Sequence, residues 1–248
     1  PDRRNARIAA HPWRERSGSL SRTLGDSSTT MEILRYMVDN LDLIAERTLE
    51  HISMVGVAVL IAIATGVSLG VFITQNKGLA DRVLYGAAVI MTIPSIALFG
   101  LLIPVLSPFG HGIGYVPAVI ALTLYAQLPI IRNTYTAIMN INPALREAAR
   151  GMGMSPLQRL RHVELPIALP VIINGVRNAV VLNIAVGAIA TYIGAGGLGA
   201  FISRGISQTD IRQLVTGAVA VSVLAIVADY ALLALQRLLT SPGLREGR

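Results

Sequence analysis

Two long stretches of the chain, residues 51–76 and 83–131, contain no Asp, Glu, Lys or Arg. A helix that crosses the hydrocarbon core of a bilayer, about 30 Å thick, needs about 20 apolar residues, so both stretches are long enough to span a membrane. Apolar windows bounded by charges or turn residues predict five transmembrane helices, at about residues 52–74, 83–106, 115–132, 167–193 and 214–236. The third of these helices extends to residue 138 if the Arg132 side chain snorkels to the membrane interface.

The basic residues beyond position 30 distinguish the two sides of this predicted bundle. Ten Lys and Arg residues follow spans one, three and five, whereas four lie on the other side. Because loops rich in Lys and Arg stay in the cytoplasm, the side with ten is predicted to be cytoplasmic. This orientation puts the N-terminus outside the cell and the C-terminus inside.

The segments that flank the spans differ in character. Residues 1–30 carry six Arg among Ser, Thr and Gly, which is typical of a disordered leader or of a start-site artefact, since Met31 follows. Residues 31–50 have apolar positions at helical spacing and predict an amphipathic helix in the membrane interface. Residues 51–240 then form the transmembrane domain, and residues 241–248 form a cytoplasmic tail.

The composition excludes several classes of protein. Apolar residues make up 53% of the chain and charged residues only 14%, against about 25% in soluble domains. Such values are incompatible with a disordered protein or a large soluble enzyme, and the absence of Cys excludes a disulfide scaffold. The net charge of +7 arises because basic residues mark the cytoplasmic side of the lipid bilayer, so no nucleic-acid partner is expected.

The longest polar interruption, residues 140–166, lies between spans three and four. Asn142 precedes Pro143 and Ser155 precedes Pro156, and each pair places a capping side chain before a proline that suits the first position of a helix. Glycines at 151 and 153 are expected to end the first helix. The pattern predicts a helix, a turn and a second helix, whereas loop character alone would favour an ordinary solvated loop.

This loop resembles the EAA motif of ABC importer permeases. The matching residues, with valine where isoleucine is usual, are Glu147, Ala148, Ala149, Gly153, Val163, Leu165 and Pro166. The resemblance implies an all-α membrane protein with the type I ABC importer permease fold, whose coupling helix docks into a groove on a cytoplasmic ATP-binding subunit. In that role Glu147 would offer a charge-assisted contact, the two alanines would permit close approach, and Gly153 would form the turn.

The resemblance covers nearly the whole chain and extends to permeases of osmoprotectant importers. Its further matches are residues 92–95, 128–136, 193–199 and 229–230. It implies glycine betaine, choline or carnitine as substrate, an extracytoplasmic binding protein, a second identical or paralogous permease, and a bacterial inner membrane. Methionine importer permeases share the glycine-rich segment, so methionine or another amino acid is the alternative substrate.

The resemblance also implies that this chain is not itself an enzyme and binds no cofactor, with ATP and Mg²⁺ held by the partner subunit. No G-x-x-x-x-G-K-[ST] motif surrounds the single lysine, Lys77. Residues 194–199 match G-x-G-x-x-G, which raises a soluble oxidoreductase as an alternative, but the preceding run is a predicted span and no acid follows at the required distance. Tight helix packing or an outer gate is the preferred interpretation of the four glycines, Gly194, Gly196, Gly197 and Gly199.

Two charges lie inside predicted spans, where ionised groups are costly. Arg177 and Asp229 lie at similar depths, and we hypothesise an ion pair between spans four and five. The alternatives are that each pairs with backbone or lines a wet cavity, or that both couple ions in a secondary transporter or channel. Polar residues of span four would line the pathway or join helices: Asn174, Asn178 and Asn183.

Quaternary ammonium groups are usually recognised by a cage of aromatic rings. The chain has twelve aromatic residues, and their sequence positions indicate no cage, so affinity is expected to reside in the binding protein. His51, His111 and His162 lack the spacing of metal ligands and are predicted to be interfacial.

Overall fold

The computed structural model describes residues 27–239, and within that range every regular element is a helix. The first elements are α1 (Ser27–Asp39), α2 (Leu41–Phe72) with a 3₁₀ turn (Ile73–Gln75), α3 (Lys77–Thr92), and α4 (Ser95–Leu106) with a 3₁₀ turn (Ser107–Phe109). The remaining elements are α5 (Tyr115–Met139), α6 (Pro143–Gly151), α7 (Pro156–Arg159), a π turn (Leu160–Glu164), α8 (Leu165–Gly187), a 3₁₀ turn (Ile189–Ile193), α9 (Gly199–Gln208) and α10 (Ile211–Leu239). The all-α class is therefore confirmed.

Four helical segments of the described chain are long and apolar enough to cross a membrane: Leu41–Gln75, Tyr115–Met139, Pro156–Gly187 and Ile211–Leu239. The predicted second span is not one straight helix. Lys77–Thr92 and Ser95–Phe109 form a pair bent by 99°, so the prediction of a single helix over residues 83–106 is wrong.

The bend has a local cause at Pro94. Proline has no backbone N–H and disfavours helical geometry in the residue before it, and Ile93 is accordingly extended, with φ −68° and ψ 127°. The carbonyl of Ile93 accepts a hydrogen bond from the Tyr125 hydroxyl of α5. A carbonyl at the break thus finds its partner in a neighbouring helix, as broken helices at membrane depth require.

The relative direction of α2 and α5 shows that the bent pair, α3 and α4, counts as one membrane crossing. The Ser53 and Tyr115 hydroxyls lie 3.1 Å apart, and Gln127 donates to Thr65 about three turns further along both helices. The two helices are therefore parallel. The chain between them has to return to the starting end, so α3 and α4 together make one crossing and the total is five.

The last spans alternate in direction. Asn183 of α8 donates to the Leu122 carbonyl of α5 at 3.0 Å, and Gln236 of α10 donates to the Pro170 carbonyl of α8 at 3.0 Å. Residues 140–166 and the end of α10 therefore share one end of the bundle, here called the loop end. The starts of α2 and α5 lie at the opposite end, here called the far end.

Small residues allow these helices to approach closely. A Cβ placed on Gly70 of α2 would lie 2.7 Å from the Cβ of Thr134 on α5, and one on Gly175 of α8 would lie 2.8 Å from the Pro129 carbonyl oxygen. In membranes, helix association depends on such close packing, because lipid tails provide no hydrophobic driving force between helices.

Several helix limits differ from the sequence prediction. The interfacial segment 31–50 is divided at Asn40 between α1 and α2, and span four begins at Pro156 because α7 continues through the π turn into α8. The predicted leader lies outside the described residues apart from its last four, which begin α1, and the predicted tail lies wholly outside them.

The sequence predicted no helix at α9, which folds back on α10. Gly205 leaves no room for a side chain, since its Cβ would lie 2.5 Å from the Leu214 nitrogen. At the turn the Arg212 side chain donates to Asp210 at 3.1 Å and the Arg212 backbone donates at 3.0 Å, and these contacts lower the Asp210 pKa to about 2. A short helix in a polar loop thus owes its stability to tertiary contacts.

The hydroxyl of Tyr125 is expected to stabilise the bend. Tyr125→Phe would leave the Ile93 carbonyl without that partner, at a cost of about 1–3 kcal/mol. Thermal unfolding of the purified protein in detergent measures this loss of stability. The matched control is Tyr85→Phe, because the Tyr85 side chain is exposed on α3. Equal unfolding temperatures for the two variants would contradict this account of the bend.

Candidate functional site

The loop of residues 140–166 folds as a helix and a turn leading into span four. The Asn142 side chain accepts from the Ala144 nitrogen at 3.0 Å, and Ser155 forms a reciprocal capping box with Gln158. Both predicted helix starts are confirmed. Gly151 is the last residue of α6, whereas the left-handed turn residue is Gly153, at φ 77°.

The residues of the EAA pattern differ in accessibility. Glu147 and Ala148 are exposed on α6, whereas Ala149 is buried. Further along the pattern, Gly153 and Pro166 are exposed and Val163 and Leu165 are half-buried.

Large apolar side chains are also exposed in this loop. Met152 and Leu157 are 69% and 74% exposed, and Leu145 is 45% exposed. The loop therefore exposes apolar side chains as well as the acid Glu147.

An ion cluster that the sequence analysis missed holds the loop together. Glu164 is buried, and its Oε1 lies 3.2 Å from Arg146 Nε and 2.9 Å from Arg159 Nε. Arg146 also donates to the Ile138 carbonyl at the end of α5. One carboxylate thus joins α6, α7 and the start of α8. The available signal was that Glu147 and Glu164 are the only acids among the four arginines of this loop.

The predicted ion pair inside the membrane spans is confirmed. Arg177 donates from Nε to Asp229 Oδ1 at 3.0 Å and from Nη2 to both carboxylate oxygens at 2.8 and 2.9 Å. Its Nη1 donates to the Gln236 side chain at 3.4 Å. Such forked, charge-assisted contacts offset much of the cost of holding both ions away from water.

The asparagines of span four do not form one stripe. Asn174 and Asn178 are exposed on the surface of the protomer, and Asn178 lines a cavity of about 620 Å³ beside Asp229. Asn183 is fully buried on the opposite side of α8 and donates to the Leu122 carbonyl. Asn183 therefore joins two helices, which is one of the two roles expected for these asparagines.

The glycine-rich segment forms a tight turn at the far end. Gly194, Gly196 and Gly197 have φ of 79°, 77° and 80°, which side chains other than glycine rarely adopt. A Cβ on Gly199 would lie 1.8 Å from the Ala188 carbonyl oxygen.

This turn is held against the start of α2. The Gly197 nitrogen donates to Glu50 Oε2 at 2.9 Å, and Glu50 is paired with Arg47 at 2.8 Å. These contacts support the packing interpretation of the glycines.

The three histidines occupy different environments. His51 is fully buried, with Nε2 3.0 Å from the Ile184 carbonyl oxygen, so it joins α2 to α8 within the bundle. His111 and His162 are exposed and bond to nearby backbone carbonyls.

Comparison with known proteins identifies the family. The model of the family described as "Binding-protein-dependent transport system inner membrane component" matches residues 53–241. The chain belongs to this family. It is therefore a multi-pass component of an inner membrane, and the loop of residues 140–166 lies within the matched region.

Two relatives are similar over most of the chain. The osmoprotectant import permease protein OsmW of Salmonella typhimurium is 54% identical over 215 residues, which cover 87% of the chain and 100% of the relative. The choline transport system permease protein OpuBB of Bacillus subtilis is 39% identical over 86% of the chain and 96% of its own length.

A solved structure agrees with the fold. The inward-facing MetNI methionine ABC transporter is similar with a TM-score of 0.73 and 27% identity, over 80% of this chain and 97% of the matched chain. The predicted type I ABC importer permease fold is thereby confirmed.

Removal of the Glu164 charge is expected to loosen the loop. Glu164→Gln leaves two arginines without their carboxylate, and each loses its charge-assisted partner. Hydrogen exchange should then accelerate across residues 143–164, while Glu147→Gln, on the exposed face of α6, should leave exchange unchanged. Unchanged protection in Glu164→Gln would mean that the cluster does not hold the loop.

Proposed function

We propose that the chain is the membrane permease subunit of an ATP-driven importer of osmoprotectants, which are quaternary ammonium compounds such as glycine betaine, choline or carnitine. The observation that carries the proposal is the 54% identity to an osmoprotectant import permease along that relative's full length. An extracytoplasmic binding protein delivers the substrate, and the five-span bundle provides its passage.

The loop of residues 140–166 couples this bundle to a cytoplasmic ATP-binding subunit, which holds ATP and Mg²⁺. Support comes from exposure, since Glu147 and Ala148 are exposed on α6 and the same loop also exposes Leu145, Met152 and Leu157. Glu164 ties α6 to the helix that continues as span four, so a push on α6 is transmitted to the bundle rather than absorbed by a flexible loop.

The orientation follows from this role. The loop end faces the cytoplasm because it carries the coupling surface, and the far end faces outward. The excess of Lys and Arg on the loop side supports the same orientation. The glycine turn at residues 194–199 then lies near the outer surface, packed against α2.

A second permease copy or a paralogue completes the pathway. Two ATP-binding subunits acting on one path require two membrane subunits related by a twofold axis. The exposed asparagines of α8 and the cavity beside Asp229 supply polar lining for such a path.

Reconstituted uptake tests the substrate class. The chain, its ATP-binding subunit and its binding protein in proteoliposomes should accumulate labelled glycine betaine, choline or carnitine only when ATP is enclosed with the ATP-binding subunit. The 27% identity to a methionine transporter makes labelled methionine the informative competitor. Uptake of methionine alone, or uptake driven by an ion gradient without ATP, would contradict the proposal.

A charge reversal on α6 tests the coupling role. Glu147→Lys should reduce co-purification of the ATP-binding subunit and lower ATP-dependent uptake at least tenfold, because an exposed contact becomes repulsive toward a basic groove. Asp81→Lys, an exposed acid of α3 outside the loop, is the matched control and should assemble normally. Equal assembly and uptake in both variants would overturn the coupling assignment.

A further inference from the structure

The ion pair between α8 and α10 is asymmetric in its exposure. The Arg177 side chain is 18% exposed and is enclosed by Asp229 and Gln236, whereas the Asp229 side chain is 37% exposed. Arg177 fixes the carboxylate with a forked contact, but a carboxylate has about four lone-pair sites and only three hydrogen bonds reach it from Arg177. The anionic partner therefore remains accessible while the cation is covered.

The accessible carboxylate lies in the wall of an open cavity. This cavity has a volume of about 620 Å³, within the range of small-molecule sites, and its wall also includes Asn178, Leu182 and Tyr230. Tyr230 follows Asp229 in the chain and is 67% exposed. The site thus combines a fixed negative charge, an accessible aromatic ring, an amide and apolar surface.

This combination suits an organic cation rather than a metal ion. Calcium takes six to eight oxygen ligands, and magnesium requires near-octahedral oxygen coordination. One carboxylate already bound by arginine and one amide fall well short of either. A quaternary ammonium group has no hydrogen-bond donor and is recognised by aromatic faces and by negative charge.

We propose that Asp229 and Tyr230 bind the ammonium group of the transported substrate in this cavity, and that Arg177 is the positioning residue that holds the carboxylate. The inference rests on the proposed function and adds a substrate-contact site within the permease itself. Because Arg177 neutralises much of the carboxylate's charge, the site is weak. Weak binding suits a passage from which substrate has to leave.

Binding to the permease is measured without the binding protein. The chain assembled with its ATP-binding subunit in nanodiscs is dialysed against labelled choline or glycine betaine. The uncharged carbon isostere of choline, 3,3-dimethyl-1-butanol, is the competitor on the wild-type complex. We expect choline to bind and the isostere to compete at least tenfold more weakly. Equal competition by the isostere would overturn the proposal without any variant.

Two variants test the named residues. Tyr230→Leu should weaken choline binding about fivefold and raise the KM for uptake, while Tyr230→Phe, which keeps the aromatic face, should restore binding to within about twofold. The double variant Arg177→Gln with Asp229→Asn removes both charges together and so leaves no unpaired ion in the membrane. It should abolish measurable choline binding.

The controls separate this site from the transport function. Tyr85→Leu, an exposed aromatic on α3 outside the cavity, should bind and transport like the wild type. Wild-type binding and KM in Tyr230→Leu and in the double variant would overturn the site alone. If the wild-type complex, supplied with binding protein and ATP, transports no quaternary ammonium compound, the proposed function fails and the site with it.

Discussion

Within the hydrocarbon core every polar group has to find its partner in the protein, because lipid offers none. Partnerships that join the spans include Tyr125 with the Ile93 carbonyl, Asn183 with the Leu122 carbonyl, His51 with the Ile184 carbonyl, and Arg177 with Asp229. Each of them links two helices at a defined depth. Together they determine which faces of the spans meet, and close contacts at glycines fill the space between them.

The two proposed functional surfaces lie at the loop end and between α8 and α10. At the loop end, Glu164 forms ion pairs with two arginines of the loop, while Glu147 and Ala148 are exposed on α6. Between α8 and α10, the ion pair is satisfied within the protein yet exposes its carboxylate to a cavity. Glu164 holds the proposed coupling loop together, and Asp229 gives the proposed pathway its polarity.

Local signals in the sequence predicted much of this structure. Charge-free windows indicated the spans, and the capping pairs before Pro143 and Pro156 indicated both helix starts in the loop. Contacts between residues that are far apart in the sequence were harder to predict. The Arg177 and Asp229 pair was accessible to reasoning because isolated charges in membranes are costly. Pro94 is a local signal for the bend, but Tyr125, whose hydroxyl bonds the Ile93 carbonyl at the bend, lies thirty-two residues after Ile93. The helix α9 packs closely against Leu214 of α10, a contact that the local sequence does not indicate.

The most direct measurement of how this chain works is a cryo-EM reconstruction of the permease assembled with its ATP-binding subunits. We expect the helix Pro143–Gly151 to be seated in a groove of the ATP-binding subunit, with Glu147 and Ala148 at the contact and Glu164 still bound to both arginines. A reconstruction in which this helix faces water, while the ATP-binding subunit contacts another part of the bundle, would contradict the assignment of the coupling loop.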